Sequence, residues 1–165
     1  MDVRNSIWFY STALDVILVD QLTKALARVY LIPEKPIPVI PGFFDLRLVF
    51  NKGAAFGMFP NWAPLFILVG LVAIYAIVRL RRSGTGSHCL SIGLGMLLGG
   101  AIGNLVDRVV FSARGVTDFL DFHVRGLPPW PTFNIADAAI VVGAILVVVH
   151  VYVIEKRRSE TEVES

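Results

Sequence analysis

No charged residue occurs between positions 54 and 78. That stretch is longer than the roughly 20 residues a helix needs to cross the hydrocarbon core of a bilayer. In lipid every backbone N–H and C=O must be bonded within the protein, so such a run reads as a transmembrane helix. Two more runs of this kind follow, one uncharged from Cys89 until Asp107 and one from about 135 to 154. Composition agrees: 55% of residues are hydrophobic and 17% charged, against about 25% charged in a soluble domain. The mean hydropathy is +0.68.

These runs predict an all-α membrane protein of four helices, with spans at about 6–29, 61–80, 89–110 and 135–154. The 165 residues form a single integral membrane domain with a flexible tail at 155–165. Span one is the weakest, because Asp15, Asp20 and Lys24 fall inside it. The same interruptions argue against a cleavable signal peptide, so it is expected to be a retained helix. Pro33, Pro36, Pro38 and Pro41 then forbid helix. Beyond them, Leu46, Leu48 and Phe50 alternate with Asp45 and Arg47, the period of a half-buried strand. Residues 112–132 read as a polar loop.

Several function classes recede at this point. The net charge is only +2 and no basic face with interleaved aromatics exists, so no nucleic-acid partner is expected. The single cysteine, Cys89, excludes an internal disulfide. His88, His123 and His150 are scattered without metal-ligand spacing, so no metal and no serine-type triad is expected.

Orientation follows from the basic residues near span ends. Arg4, Arg79, Arg81, Arg82, Lys156, Arg157 and Arg158 fall on one side. Lys35, Arg47, Lys52, Arg114 and Arg125 fall on the other, with Lys24, Arg28 and Arg108 at helix ends. The totals barely differ. The tight clusters closing spans two and four favour both termini in the cytoplasm, and Trp62 and Trp130 fit an interfacial belt opposite.

Two acids stand out against this background. Asp118 follows span three and Asp137 opens span four, so antiparallel spans bring both to the outer membrane surface. A carboxylate at membrane depth costs several kcal/mol unless paired or solvated, which makes it a functional-site candidate by default. Two close carboxylates can share one proton and activate a water. Asp121, three residues beyond Asp118, is a rival for that role. Asp137 can also be a helix N-terminal carboxylate, and Asn134 an N-cap or a group that orients the pair.

Three further motifs carry polar groups in apolar surroundings. Asp20 and Lys24, at i and i+4, share a helix face and can form a structural pair, with Lys24 free to snorkel outward. Asn51-Lys52-Gly53-Ala54-Ala55-Phe56-Gly57 places an amide beside small residues. Gly99-Gly100-Ala101-Ile102-Gly103-Asn104-Leu105-Val106-Asp107-Arg108 aligns Gly100, Gly103, Asn104 and Asp107 on one side of span three. The glycines there open a groove or let helices pack closely, and Arg108 adds a fixed cation.

Taken together and in order, these motifs, with Val116-Thr117-Asp118-Phe119 and Phe133-Asn134-Ile135-Ala136-Asp137, resemble the bacterial lipoprotein signal peptidases, the type II signal peptidases. The resemblance covers nearly the whole chain. It implies an aspartic endopeptidase of the bacterial inner membrane with a small extracytoplasmic β-sheet cradle beside its four helices. The implied substrate is a diacylglyceryl-modified prolipoprotein, cut just before the lipidated cysteine, with membrane lipids around it. It also implies that Asp118 and Asp137 are catalytic, that Asn51, Gly53, Asn104, Arg108 and Asn134 line the site, and that Asp20, Lys24, Gly100, Gly103, Asp107 and Ala136 support it. No cofactor is implied, and a monomer is expected. Two other readings compete: a proton pathway through Asp20, Asp107 and Asp137, and a purely structural membrane subunit.

Overall fold

The structure is a computed structural model that describes residues 3–53, 62–83, 87–124, 126 and 130–163. Residues 54–57 of the asparagine–glycine motif, the 84–86 turn, Pro128, Pro129 and Arg125 lie outside the described residues. The described residues form four helices and three strands, in the order α1 (Val3–Tyr30), β1 (Ile37–Ile40), β2 (Phe44–Asn51), α2 (Ala63–Ser83), α3 (His88–Val110), β3 (Val116–Phe122) and α4 (Ile135–Val163). Among the described residues, α2, α3 and α4 are long and apolar enough to cross a membrane, through windows Ala63–Arg82, His88–Val110 and Ile135–Val153. Helix α4 runs on to Val163, so the expected flexible tail is helical backbone up to that residue. Helix α1, of 28 residues, turns Asp20 and Lys24 inward and leaves Asp15 exposed.

Helix α3 is the centre of the bundle, packed against α1, α2 and α4. Its glycines explain how. A Cβ on Gly100 would lie 2.5 Å from the Ala136 carbonyl oxygen of α4, and one on Gly103 would lie 2.5 Å from Asp20 Oδ2 of α1. The α4 backbone and the Asp20 side chain therefore fill the space these glycines leave. The groove expected along this face is closed packing of the small-residue kind. Leu94 and Leu98 of α3 meet Phe9 and Ala13 of α1 and Ile77 of α2 in one apolar core. Leucine and valine on the outer faces of α1, α2 and α4, such as Leu18, Leu68 and Val148, are exposed, as lipid-facing residues must be.

The strands form one antiparallel sheet in the order β1-β2-β3. The expected strand around Leu46–Phe50 is β2. Strand β3 lies within the segment read as a polar loop, and it was hidden because its sequence, VTDFLDF, is buried on both faces and lacks a polar–apolar alternation. The sheet rests on the end of α1 through Ala27, Leu31, Leu48 and Phe119. Between β2 and β3 the register slips, so that Leu46 pairs with Leu120 but Val49 with Asp118. The extra β2 residue is a bulge, which re-aims the strand just beside Asp118.

Candidate active site

Strand β3 is tied to the start of α4. Phe133 N–H donates to the Leu120 carbonyl at 3.0 Å, and the Phe133 carbonyl accepts from Leu120 at 2.9 Å. The next residue, Asn134, is fully buried and starts the helix. Its Oδ1 accepts from Asp137 N at 3.0 Å, while Asp137 Oδ2 accepts from Asn134 N at 3.2 Å. This reciprocal pair is a capping box built from Asn and Asp. With its oxygen so engaged, the Asn134 amide can only present its NH2 elsewhere, and it donates to Asp118 Oδ1 at 2.6 Å. Asn134 thus both caps the helix and joins the two aspartates, so the alternatives left open by the sequence are one arrangement.

Two more amides complete the shell. Asn51 Nδ2 donates to Asp118 Oδ2 at 3.2 Å, and its oxygen is held by Gly53 N at 3.0 Å. Asn104 Nδ2 donates to Asp137 Oδ1 at 2.7 Å. Gly53 therefore orients Asn51; among the described residues it does not line the main cavity. That cavity, of about 620 Å³, is lined by Asn51, Asn104, Arg108, Asp118 and Asp137 on its polar side and by Ile140 and Val141 on its apolar side. The Arg108 guanidinium lies 5.4 Å from the Phe66 ring centroid, which holds it at the cavity wall.

Asp118 is buried and faces a second carboxylate. Burial first, and the charge of Asp137 next, push its carboxyl up from an ordinary 3.8 to about 7, against the opposing hydrogen bonds from Asn134 and Asn51. One proton on this group near neutrality is what a shared-proton pair requires.

Asp121 goes elsewhere. Three residues along a strand is an odd step, so its side chain leaves the opposite face from Asp118. It lies 3.6 Å from Arg47 and 3.6 Å from His123, which also touches Asp45 at 3.1 Å. It does not line the cavity.

Beneath the pair lies a buried ionic network. Lys24 is fully buried, 2.8 Å from Asp20 Oδ2 and 3.8 Å from Asp107 Oδ2, so it does not snorkel. Burial wins over snorkelling because two carboxylates and the Asn104 oxygen, 3.0 Å away, surround the ammonium. Asp20 Oδ1 accepts from Ala136 N at 2.9 Å, and Asp107 Oδ2 accepts from Thr117 N at 2.8 Å. Each acid thus holds the residue just before one of the paired aspartates. Asp20 and Asp107 are consumed by these partners, which takes away two of the three acids of the proton-pathway reading. Arg28, 3.7 Å from Asp107 and 3.0 Å from Thr117 Oγ1, and Gln21, 3.1 Å from Asp20 Oδ2, belong to the same network. Neither was singled out from sequence. The signal for Arg28 was present, since Asp20, Lys24 and Arg28 repeat every fourth residue on one helix face.

Comparison with known proteins agrees with this geometry. The family model described as signal peptidase (SPase) II matches residues 12–153. A lipoprotein signal peptidase of Oleidesulfovibrio alaskensis is 46% identical over 150 residues, covering 87% of this chain and 93% of its own. One from Halothermothrix orenii is 38% identical over 147 residues, covering 89% and 97%. A solved structure of a bacterial membrane enzyme superposes with a TM-score of 0.78 at 28% identity, covering 86% of this chain and 85% of that one. The chain therefore belongs to the signal peptidase II family, the lipoprotein signal peptidases, whose members are aspartic peptidases.

Proposed function

We propose that Asp118 and Asp137 are the catalytic pair of this lipoprotein signal peptidase. The observation that carries the proposal is their placement: two carboxylates joined through one asparagine, at the edge of a cavity with an apolar α4 wall. Asp118 holds the shared proton. Asp137, whose carboxylate caps α4, takes a proton from a water as that water attacks the scissile carbonyl. Asp118 donates its proton to the carbonyl oxygen, so the pair ends the step with its protonation exchanged. Each such proton transfer contributes about 10²–10⁴-fold. Asn51, Asn104 and Arg108 line the same cavity and are the groups that hold substrate carbonyls out of water's reach. Asn134 keeps the two acids in register. The roles of Gly53, Gly100, Gly103, Asp107 and Ala136 are structural support.

The substrate in this reading is a diacylglyceryl-modified prolipoprotein cut just before its lipidated cysteine. Ile140 and Val141 give the cavity an apolar wall suited to an acyl chain lying in the membrane. The enzyme acts as a monomer among membrane lipids, and no cofactor enters the chemistry. Matched lipidated and unlipidated peptides test this in proteoliposomes: only the lipidated one should be cut. Equal cleavage of both would refute lipid recognition while leaving peptidase activity in place.

The pH response follows from Asp118. Raising pH through about 7 removes its proton. The acid is then lost, so kcat/KM should fall on the alkaline side of neutrality. A rate that stays flat to pH 9 would remove Asp118 as the proton donor.

We place the enzyme in the bacterial inner membrane with both termini cytoplasmic and the site facing outward. Arg81 and Arg82 lie in the last turn of α2, and the exposed Trp62 lies just before its start. Single cysteines at Ser83 and Ser112, in a Cys89→Ser background, test this in intact cells. An impermeant maleimide should label position 112 and spare 83. The reverse pattern would put the aspartates on the cytoplasmic side and sink the outward-facing site.

A further inference from the structure

Asn104 stands between the buried ionic network and the aspartates. Its Oδ1 is 3.0 Å from Lys24 Nζ, and its Nδ2 is 2.7 Å from Asp137 Oδ1. An asparagine amide has one accepting end and one donating end, and it can in principle sit either way round. Here only one way works. The Lys24 ammonium carries donors alone, so the end of the amide that faces it must be oxygen. The NH2 is thereby left to face Asp137. Lys24 cannot turn away, because it is fully buried and held by Asp20 at 2.8 Å and Asp107 at 3.8 Å.

The other two amides around the pair are fixed differently. Backbone N–H groups of Asp137 and Gly53 hold the oxygens of Asn134 and Asn51. The Asn104 oxygen is held by side chains instead, Lys24 Nζ at 3.0 Å and Asn134 Nδ2 at 3.2 Å, and Lys24 reaches it from a different helix. We infer that Lys24 is a positioning residue for the reaction, acting on Asp137 through the Asn104 amide. Without the ammonium the oxygen keeps one donor, Asn134 Nδ2 at 3.2 Å, and the amide is freer to flip. Its oxygen would then oppose the Asp137 carboxylate, and the pair would lose the hydrogen bond that fixes Asp137 Oδ1. Lys24 does not line the cavity, so substrate binding should not sense the change directly.

This inference rests on Asp137 being one of the catalytic pair. Lys24→Met alone would strand two buried carboxylates, so the informative variant is the neutral pair Asp20→Asn/Lys24→Met. Asn at 20 keeps an oxygen for Ala136 N. Cleavage of a lipidated peptide in detergent gives kcat and KM for wild type, the neutral pair, Asn104→Ala and the triple variant, with melting temperatures measured alongside. The neutral pair should lose about tenfold to a hundredfold in kcat with KM within about twofold, the range seen when a group that orients a reactive ligand is removed. Added to Asn104→Ala, it should cost no more than about a further twofold, because no amide remains to be oriented. A neutral pair that does not fold, that keeps the wild-type kcat, or that loses the same factor in both backgrounds overturns the inference and leaves Lys24 a structural residue. Failure of the catalytic assignment is separable: Asp137→Asn would then cleave at a normal rate whatever the cycle shows.

Discussion

Asp118→Asn and Asp137→Asn should each lower cleavage by at least about a hundredfold, or about 2.7 kcal/mol of transition-state stabilisation. Asn keeps the size and polarity of Asp but can neither take nor give the proton. Both proteins should still insert and fold. Each position has two donors around its carboxylate: Asn134 and Asn51 for Asp118, Asn104 and Asn134 N for Asp137. An Asn there keeps one acceptor and sets its NH2 against the second donor, a loss of about 1–3 kcal/mol that a folded membrane bundle can absorb. Asp121→Asn is the control. Its partners, Arg47 and His123, lie away from the cavity, and it should keep most of the activity. Either catalytic variant retaining a tenth of the wild-type rate would mean that the carboxylate is not an acid or base in the slow step. An inert Asp121→Asn beside an active Asp118→Asn would reverse the assignment.

The largest stability effect should come from Asp107. It is fully buried and accepts from Thr117 N at 2.8 Å, with Lys24 at 3.8 Å and Arg28 at 3.7 Å. Asp107→Ala leaves a buried ammonium short of one counter-charge, a part-buried guanidinium with none in the network, and a buried backbone N–H without an acceptor. Breaking a buried ion pair from one side costs about 3–5 kcal/mol. The variant should unfold at markedly lower denaturant in detergent, and its activity should fall with its folded fraction. Asp15→Ala, at an exposed position of α1, should change stability by no more than about 0.5 kcal/mol. If the two variants unfold alike, the network is not what holds β3 against the bundle.

The bundle was legible in the sequence because bilayer crossing imposes length and apolarity on each segment independently. The uncharged run from 54 to 78 and the two later runs fix α2, α3 and α4 without reference to one another. The strand at Leu46–Phe50 was readable for a similar local reason, since its outer face meets water. Asp118 and Asp137 stood out because an acid beside an apolar run is costly unless it has a use.

What each polar group does to the others is a different matter, because partners far apart in sequence decide it. Nothing in VTDFLDF says strand when both faces are buried, and β3 exists because β2 and Phe133 supply its hydrogen bonds. Lys24 could snorkel in an isolated helix; it is buried because Asp107 and Asn104 arrive from α3. The glycines of α3 could frame a groove or a close contact, and Ala136 and Asp20 decide for contact. Asp121, three residues on, was a rival to Asp118 as an acid in the sequence. Strand geometry separates their faces, and Asn134 at the start of α4 selects the one that meets Asp137. The sequence by itself determined the helices, because lipid acts on each segment alone. Tertiary structure decided the site, because a buried polar atom is defined by the partner that reaches it.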